Sequence, residues 1–70
     1  MYKVKNVSKN FSKYKYAVIR KVYNDDNVLE YWWFGAYNSL ILAQNAYNEI
    51  NNGLIVEIEK IEPETFDQGW

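Results

Sequence analysis

The chain contains no cysteine and no histidine. Disulfides, zinc sites of the usual Cys/His kind and His-dependent catalytic centres are therefore excluded. The three glycines are scattered and build no phosphate-binding loop, and no calcium loop of the DxDxDG type is present. We expect no metal, no cofactor, no small-molecule substrate and no enzymatic activity.

Long apolar runs are also absent. No stretch approaches the roughly 18 residues of a membrane-spanning helix, and the N-terminal MYKVKNVSKN lacks the apolar region of a signal peptide. These absences predict a protein that enters no membrane and works in the bacterial cytoplasm, or in the host cytoplasm if a phage encodes it. The 70 residues suit one domain, and the 19% aromatic content supplies large side chains for a small core.

Charge is distributed unevenly along the chain. Residues 1–23 hold seven bases and no acid, whereas residues 24–70 hold all nine acids and one base, Lys60. The basic half predicts an anionic partner; the alternative is that the two halves pair in the folded state. The nine asparagines, with abundant Lys, Ile and Tyr, indicate AT-rich coding, as in low-GC bacteria and their phages.

Residues 1–62 are interpreted as a single domain and residues 63–70 as a C-terminal tail. Three strand patterns precede a helix and one follows it; they cover residues 2–9, 14–23, 28–37 and 54–61. The second and third form a hairpin around the turn cluster NDDN. The prediction is an α+β fold of order β-β-β-α-β, in which a small antiparallel sheet of three strands, or four, packs on one helix.

The helix is predicted from apolar residues at helical spacing between Leu40 and Ile50. Asn38 and Ser39 supply the N-cap, since either side chain can accept a hydrogen bond from the first turn. Gly53 is expected as the left-handed residue at the helix end.

The stretch EYWWFGAY, residues 30–37, places aromatic rings on both faces of one strand. Alternation predicts that Trp32 and Phe34 belong to an apolar core under the helix, with Arg20 as a misfit in that set. Tyr31 and Trp33 then lie among lysines on the opposite face, which one helix cannot cover. The alternative is that a dimer mate or the tail, through Phe66 and Trp70, covers these two rings.

The segment WFGAYNSLILAQNAYN, residues 33–48, resembles part of the plant ethylene-response-factor DNA-binding domain. Similar domains occur at the N-termini of phage and transposon tyrosine integrases and in some homing endonucleases. The resemblance rests on nine positions of this sequence, which are Trp33, Gly35, Tyr37, Asn38, Ser39, Ala43, Ala46, Tyr47 and Asn48. It implies a three-stranded antiparallel sheet with a helix across its back and an open face that enters the DNA major groove.

The resemblance also implies roles for individual residues. Trp33 falls on an outward Trp that lies against the DNA backbone, Tyr47 on a helix Tyr near a phosphate, and Lys3 and Lys5 loosely on first-strand arginines. The chain departs from the family in holding lysines where the family reads guanine with arginines. Its pI near 5.3 is also low for a DNA-binding domain. We therefore expect weak and salt-sensitive binding to duplex DNA.

Three hypotheses remain from the sequence. The first is a DNA-binding domain encoded by a phage or mobile element; the second is a protein-binding module, such as a phage inhibitor of a host nucleic-acid enzyme; the third is a homodimer that packs its aromatic faces together. The candidate nucleic-acid-binding residues are Lys3, Lys5, Lys13, Lys15, Lys21, Tyr31, Trp33 and Tyr47. The candidate protein-interface residues are Glu57, Glu59 and Glu62.

Overall fold

A computed structural model describes residues 1–67 and shows a small α+β fold with one helix, as predicted. The sheet has five strands and is mixed, so the prediction of three or four antiparallel strands was wrong in this respect. The strands are β1 (Tyr2–Lys5), β2 (Tyr16–Tyr23), β3 (Leu29–Tyr37), β4 (Gly53–Glu57) and β5 (Ile61–Pro63), and the helix α1 is Leu40–Asn48. Two 3₁₀ turns, Phe11–Lys13 and Ile58–Lys60, complete the regular structure.

The β2–β3 hairpin forms as predicted, and its turn is built by asparagines. The side-chain oxygen of Asn24 accepts from the backbone N–H groups of Asp26 at 2.9 Å and Val28 at 3.0 Å. Asn27 adopts a left-handed backbone with φ of 61°, which asparagine tolerates better than most residues. These local bonds bring the two strands into antiparallel register.

Helix α1 begins where the cap residues indicated. The Ser39 hydroxyl accepts from the Leu42 N–H at 3.2 Å, which pairs one of the free donors of the first turn. The left-handed residue after the helix is Asn52, with φ of 57°, rather than Gly53, which already begins β4.

The predicted last strand, 54–61, is in fact two strands on opposite edges of the sheet. The strand order is β4-β2-β3-β1-β5, and β1 pairs in parallel with both β3 and β5. A flat sheet of five strands is about 19 Å wide. The chain from Glu57 to Ile61, however, reaches at most about 14 Å. The sheet must therefore curl until its two edges approach each other.

The described part of the predicted tail pairs with the N-terminal segment. The Glu64 N–H donates to the Val4 carbonyl at 2.8 Å, and the Val7 N–H donates to the Thr65 carbonyl at 2.9 Å. Phe66 forms a parallel bridge with Val7. Residues 63–67 thus lie along the start of the chain, and Trp70 is outside the described residues.

Two apolar cores lie on the two faces of the curled sheet. The smaller core, under the helix, contains Val18, Ala43 and Ala46. The larger core lies on the face away from the helix and consists of Val4, Val7, Ala17, Ile19, Val56, Ile58 and Ile61. The curled sheet and the segment between β1 and β2 cover this second face, so it is not open as the sequence predicted.

A β-bulge in β3 changes which residues of the strand share a face. Val18 pairs with Gly35 but the next residue, Ile19, pairs with Trp33, so Phe34 is an extra residue. The bulge reverses the alternation, and Trp33 and Ala36 both pack against the larger core. Trp32 and Phe34, predicted as core, are 38% and 39% exposed.

Candidate interaction surface

Trp32 occupies the part of the helix-side face that α1 leaves uncovered. It pairs with Arg20 on β2 and with Lys5 on β1, so the three side chains form a row across neighbouring strands. Phe34 lies two residues further along β3 and is exposed to a similar extent. The result is an exposed tryptophan between two cationic residues, with a second exposed ring on the same strand.

A hydrogen-bond network holds the Trp32 ring in place. The indole N–H donates to Glu30 Oε1 at 3.1 Å, while Glu30 Oε2 accepts from Asn24 Nδ2 at 3.3 Å and lies 3.0 Å from Lys5 Nζ. Lys5 Nζ is also 4.0 Å from Glu64 Oε1. One carboxylate therefore fixes the orientation of Trp32 and of Lys5 together.

The same contacts shift two pKa values. The pKa of Glu30 is lowered, first by the hydrogen bond from Lys5 and then by those from Trp32 and Asn24. The pKa of Lys5 is raised, chiefly by its hydrogen bond to Glu30. Both groups stay charged at neutral pH, and Lys5 is occupied by carboxylates rather than free for an anionic partner.

The helix adds one exposed aliphatic side chain, Leu42, on its β3 flank. Ala43 and Ala46 are its buried residues, whereas Ile41 and Leu42 are 73% and 53% exposed. Leu40 lines a pocket with residues of β4, which places that flank of the helix over β4. Leu42 is about 200° further round the helix axis and so lies on the opposite flank, toward β3. We call the set Arg20, Trp32, Phe34 and Leu42 the Trp32 surface.

Tyr31 and Trp33, the aromatic residues predicted to bind DNA, pack against the larger core instead. Trp33 meets Phe11 edge-to-face with ring centroids 6.3 Å apart, and Tyr31 meets Tyr2 in the same way at 5.2 Å. Phe66 lies 6.5 Å from Phe11, the ring that packs on Trp33. Neither Tyr31 nor Trp33 forms an open stacking surface.

The five lysines predicted to bind DNA do not converge on one site. Lys3 and Lys5 lie on β1, Lys13 and Lys15 precede β2, and Lys21 is near its far end. Lys15 and Lys21 are about 20 Å apart along the chain, from six residues at strand spacing. Within residues 1–67 only Lys5 forms ion pairs, so the basic and acidic parts of the chain largely do not neutralise each other there.

The remaining predicted site residues are dispersed. Tyr47 is 40% exposed on the helix, on the side that faces β4. Glu57 ends β4, Glu59 lies in the second 3₁₀ turn, and Glu62 lies in β5; all three are exposed. Glu57 and Glu59 share a pocket with Lys15, which places the acidic and basic candidates side by side.

Sequence reasoning missed the Trp32 surface, although one signal for it was present. Arg20 was the single charged residue in the even-numbered set taken as core. It shares a face with Trp32, and a charged residue there marks that face as solvent-exposed beyond the reach of the helix. Read in that way, Arg20 would have identified Trp32 rather than Trp33 as the exposed ring.

The described residues form neither a metal site nor a membrane-spanning helix. Residues 1–67 contain no cluster of Asp and Glu able to hold a metal ion and no helix long and apolar enough to cross a membrane. Comparisons of the chain with protein-family models, with curated proteins and with solved structures found no match.

Proposed function

We propose that this chain is a non-enzymatic module that binds another protein through the Trp32 surface. The observation that carries the proposal is an exposed tryptophan, held by a hydrogen bond to Glu30, with the exposed Phe34 two residues further along β3. Trp residues dominate the binding energy of many protein interfaces. Because Glu30 already orients the indole, less side-chain entropy is lost on binding.

The polar groups around Trp32 fit the rim of a protein interface. Arg20 is exposed and has no carboxylate within 4.0 Å in the described chain, so it can pair with an acid on the partner. Lys5 and Glu30 pair with each other and add little net charge. The predicted phage or mobile-element origin makes a host nuclease or polymerase the first class of partner to test.

A capture experiment with matched variants tests this proposal. The chain, Trp32→Ala and Tyr23→Ala are immobilised and exposed to a lysate of a low-GC bacterium. Tyr23 is 66% exposed but lies outside the Trp32 surface, so it serves as the control. We expect a captured protein to be lost with Trp32→Ala and kept with Tyr23→Ala. Equal capture by all three chains contradicts the proposal.

Duplex DNA, the partner that the family resemblance implies, is the second candidate. This candidate is supported by the basic residues that form no ion pair in the described chain. One of them, Arg20, is the cross-strand partner of Trp32. Contacts would come from Arg20, Lys3 and Trp32, and not from Tyr31 or Trp33. Fluorescence anisotropy with a DNA duplex at about 50 mM and about 200 mM salt tests it, because phosphate contacts weaken steeply with salt. No binding at tens of micromolar protein eliminates this candidate.

A further inference from the structure

A pocket of about 270 Å³ lies where the two edges of the curled sheet approach each other. Residues 55–57 of β4 line it together with Tyr2 of β1 and Lys60 of the second 3₁₀ turn, and Tyr16 of β2 and Leu40 of α1 complete the lining. The expectation of no small-molecule substrate came from local motifs, whereas this pocket joins residues of five separate elements.

Aliphatic side chains supply the apolar part of the lining. Val56 is buried and belongs to the larger core, whereas Ile55 is half-buried and packs against the smaller core. Leu40 is 52% exposed, so an apolar group placed against it removes surface from water. The pocket therefore offers a place for one aliphatic group of a ligand.

Two opposite charges line the same pocket without neutralising each other. Glu57 and Lys60 are both exposed, and neither has an oppositely charged group within 4.0 Å in residues 1–67. A ligand with a single charge would pair with one of these groups and lie beside a like charge on the other. A zwitterion can pair with both.

The hydroxyls of Tyr2 and Tyr16 are also available to a ligand. The two rings pack against the larger and the smaller core respectively, which holds them in place. Neither hydroxyl forms a hydrogen bond within the described chain, and both reach the solvent. Because a phenol hydroxyl donates and accepts, each can bond to a carboxylate or to an ammonium group.

We propose that this pocket binds a free amino acid with an aliphatic side chain. Lys60 pairs with the carboxylate of the ligand and Glu57 with its ammonium group, while the side chain of the ligand lies against Leu40 and Ile55. A volume of about 270 Å³ is just below the roughly 300–1,000 Å³ of pockets that hold drug-sized molecules, which suits a ligand of this size. Since both charged groups are exposed, we expect binding in the millimolar range.

The pocket is separate from the Trp32 surface. No member of that surface lines it, and Leu40 and Leu42 lie on opposite flanks of α1. The proposal does not rest on the proposed function, and Trp32→Ala is expected to bind the amino acid as the wild type does.

An NMR titration of the isotope-labelled chain with three probes tests the proposal. The probes are L-leucine, isoamylamine, which is leucine without the carboxylate, and isocaproate, which is leucine without the ammonium group. We expect L-leucine to shift the amide signals of residues 55–57 and Lys60 saturably, and each singly charged probe to bind at least about tenfold more weakly. The proposal is overturned by no saturable shift at about 20 mM L-leucine, by shifts confined to other parts of the chain, or by equal affinities for the three probes.

Charge-neutral variants test which residue pairs with which end of the ligand. Lys60→Gln should weaken L-leucine and isocaproate but bind isoamylamine no more weakly, and Glu57→Gln should weaken L-leucine and isoamylamine but not isocaproate. Lys21→Gln, near the far end of β2 and outside the pocket, is the control for net charge. Unchanged L-leucine binding in both pocket variants, or an equal loss in Lys21→Gln, overturns the proposal; the spectra themselves verify that every variant folds.

Discussion

Phe11 stands edge-on to Trp33, with ring centroids 6.3 Å apart and ring planes at 81°. The contact joins the 3₁₀ turn after β1 to the middle of β3. It covers a sheet face that the helix does not reach, and it explains why Trp33 belongs to the core while its neighbour Trp32 remains exposed.

Phe11 is therefore expected to matter more for stability than Phe34. Phe11→Ala removes a ring packed against Trp33 and the larger core, and we expect the free energy of unfolding to fall by about 2 kcal/mol. Phe34→Ala, at a 39% exposed position, should cost about 0.5 kcal/mol or less. Urea unfolding followed by tryptophan fluorescence measures both. A larger loss for Phe34→Ala would contradict the assignment of faces.

The parts of the fold that were predictable from the sequence are those that depend on local signals. The β2–β3 hairpin and the Ser39-capped helix depend on local signals, which are the Asn24–Asn27 turn and the apolar spacing of α1, and both were predicted. The bulge at Phe34 adjoins Gly35, but a single glycine in a strand does not show which residue is the extra one. Alternation placed Trp32 on the helix side and Trp33 on the opposite face, as the structure has them, but it did not show that the opposite face is covered or that α1 leaves Trp32 exposed.

The N-cap of α1 gives a second prediction. Ser39→Ala removes the acceptor of the Leu42 N–H, and we expect a loss of about 1 kcal/mol. Ser39→Thr keeps a hydroxyl and should lose less. For a domain of this size the alanine variant should melt about 4–8 °C lower in circular dichroism. Equal melting temperatures for wild type and Ser39→Ala would show that the cap adds nothing.

Asn24 is the subject of a third prediction. Its side-chain oxygen accepts two backbone hydrogen bonds in the hairpin turn, and its amide donates to Glu30. Asn24→Asp retains the acceptor but loses the donor, whereas Asn24→Ala loses both. We expect unfolding free energies in the order wild type, Asp, Ala, with the alanine variant about 1–2 kcal/mol below the wild type. An alanine variant as stable as the wild type would rule out this role.

Acid should release Trp32 from its hydrogen bond. The pKa of Glu30 is lowered from about 4.5, so its stabilising contribution is complete above that pH and is lost as the pH falls through the lowered value. We expect the fluorescence of Trp32 to change in that acid range, and Glu30→Gln to abolish this part of the titration. The pKa of Lys5 is raised from 10.5, so its contribution persists below that pH and disappears as the pH rises beyond it. An unchanged acid transition in Glu30→Gln would exclude the carboxylate as its source.

The candidate site was less predictable than the fold. Five lysines before residue 22 were predicted to form one basic surface. They lie instead on β1, just before β2 and near the far end of β2. Only strand order and register could reveal the row of Arg20, Trp32 and Lys5, because these residues come from three different strands. Strand order and register do not follow from local sequence when a strand such as β1 pairs in parallel with both of its neighbours.

The parallel pairing of β1 with β5 has a consequence for how fast the chain folds. Tyr2 pairs with Ile61, and Val4 with Pro63, so almost the whole chain must be ordered before these contacts form. Closing so long a loop costs entropy that no local contact repays. Although only 70 residues long, the protein should therefore fold in milliseconds to seconds rather than microseconds. Until β5 docks, β1 exposes an unpaired edge, and this is the interval in which aggregation competes with folding.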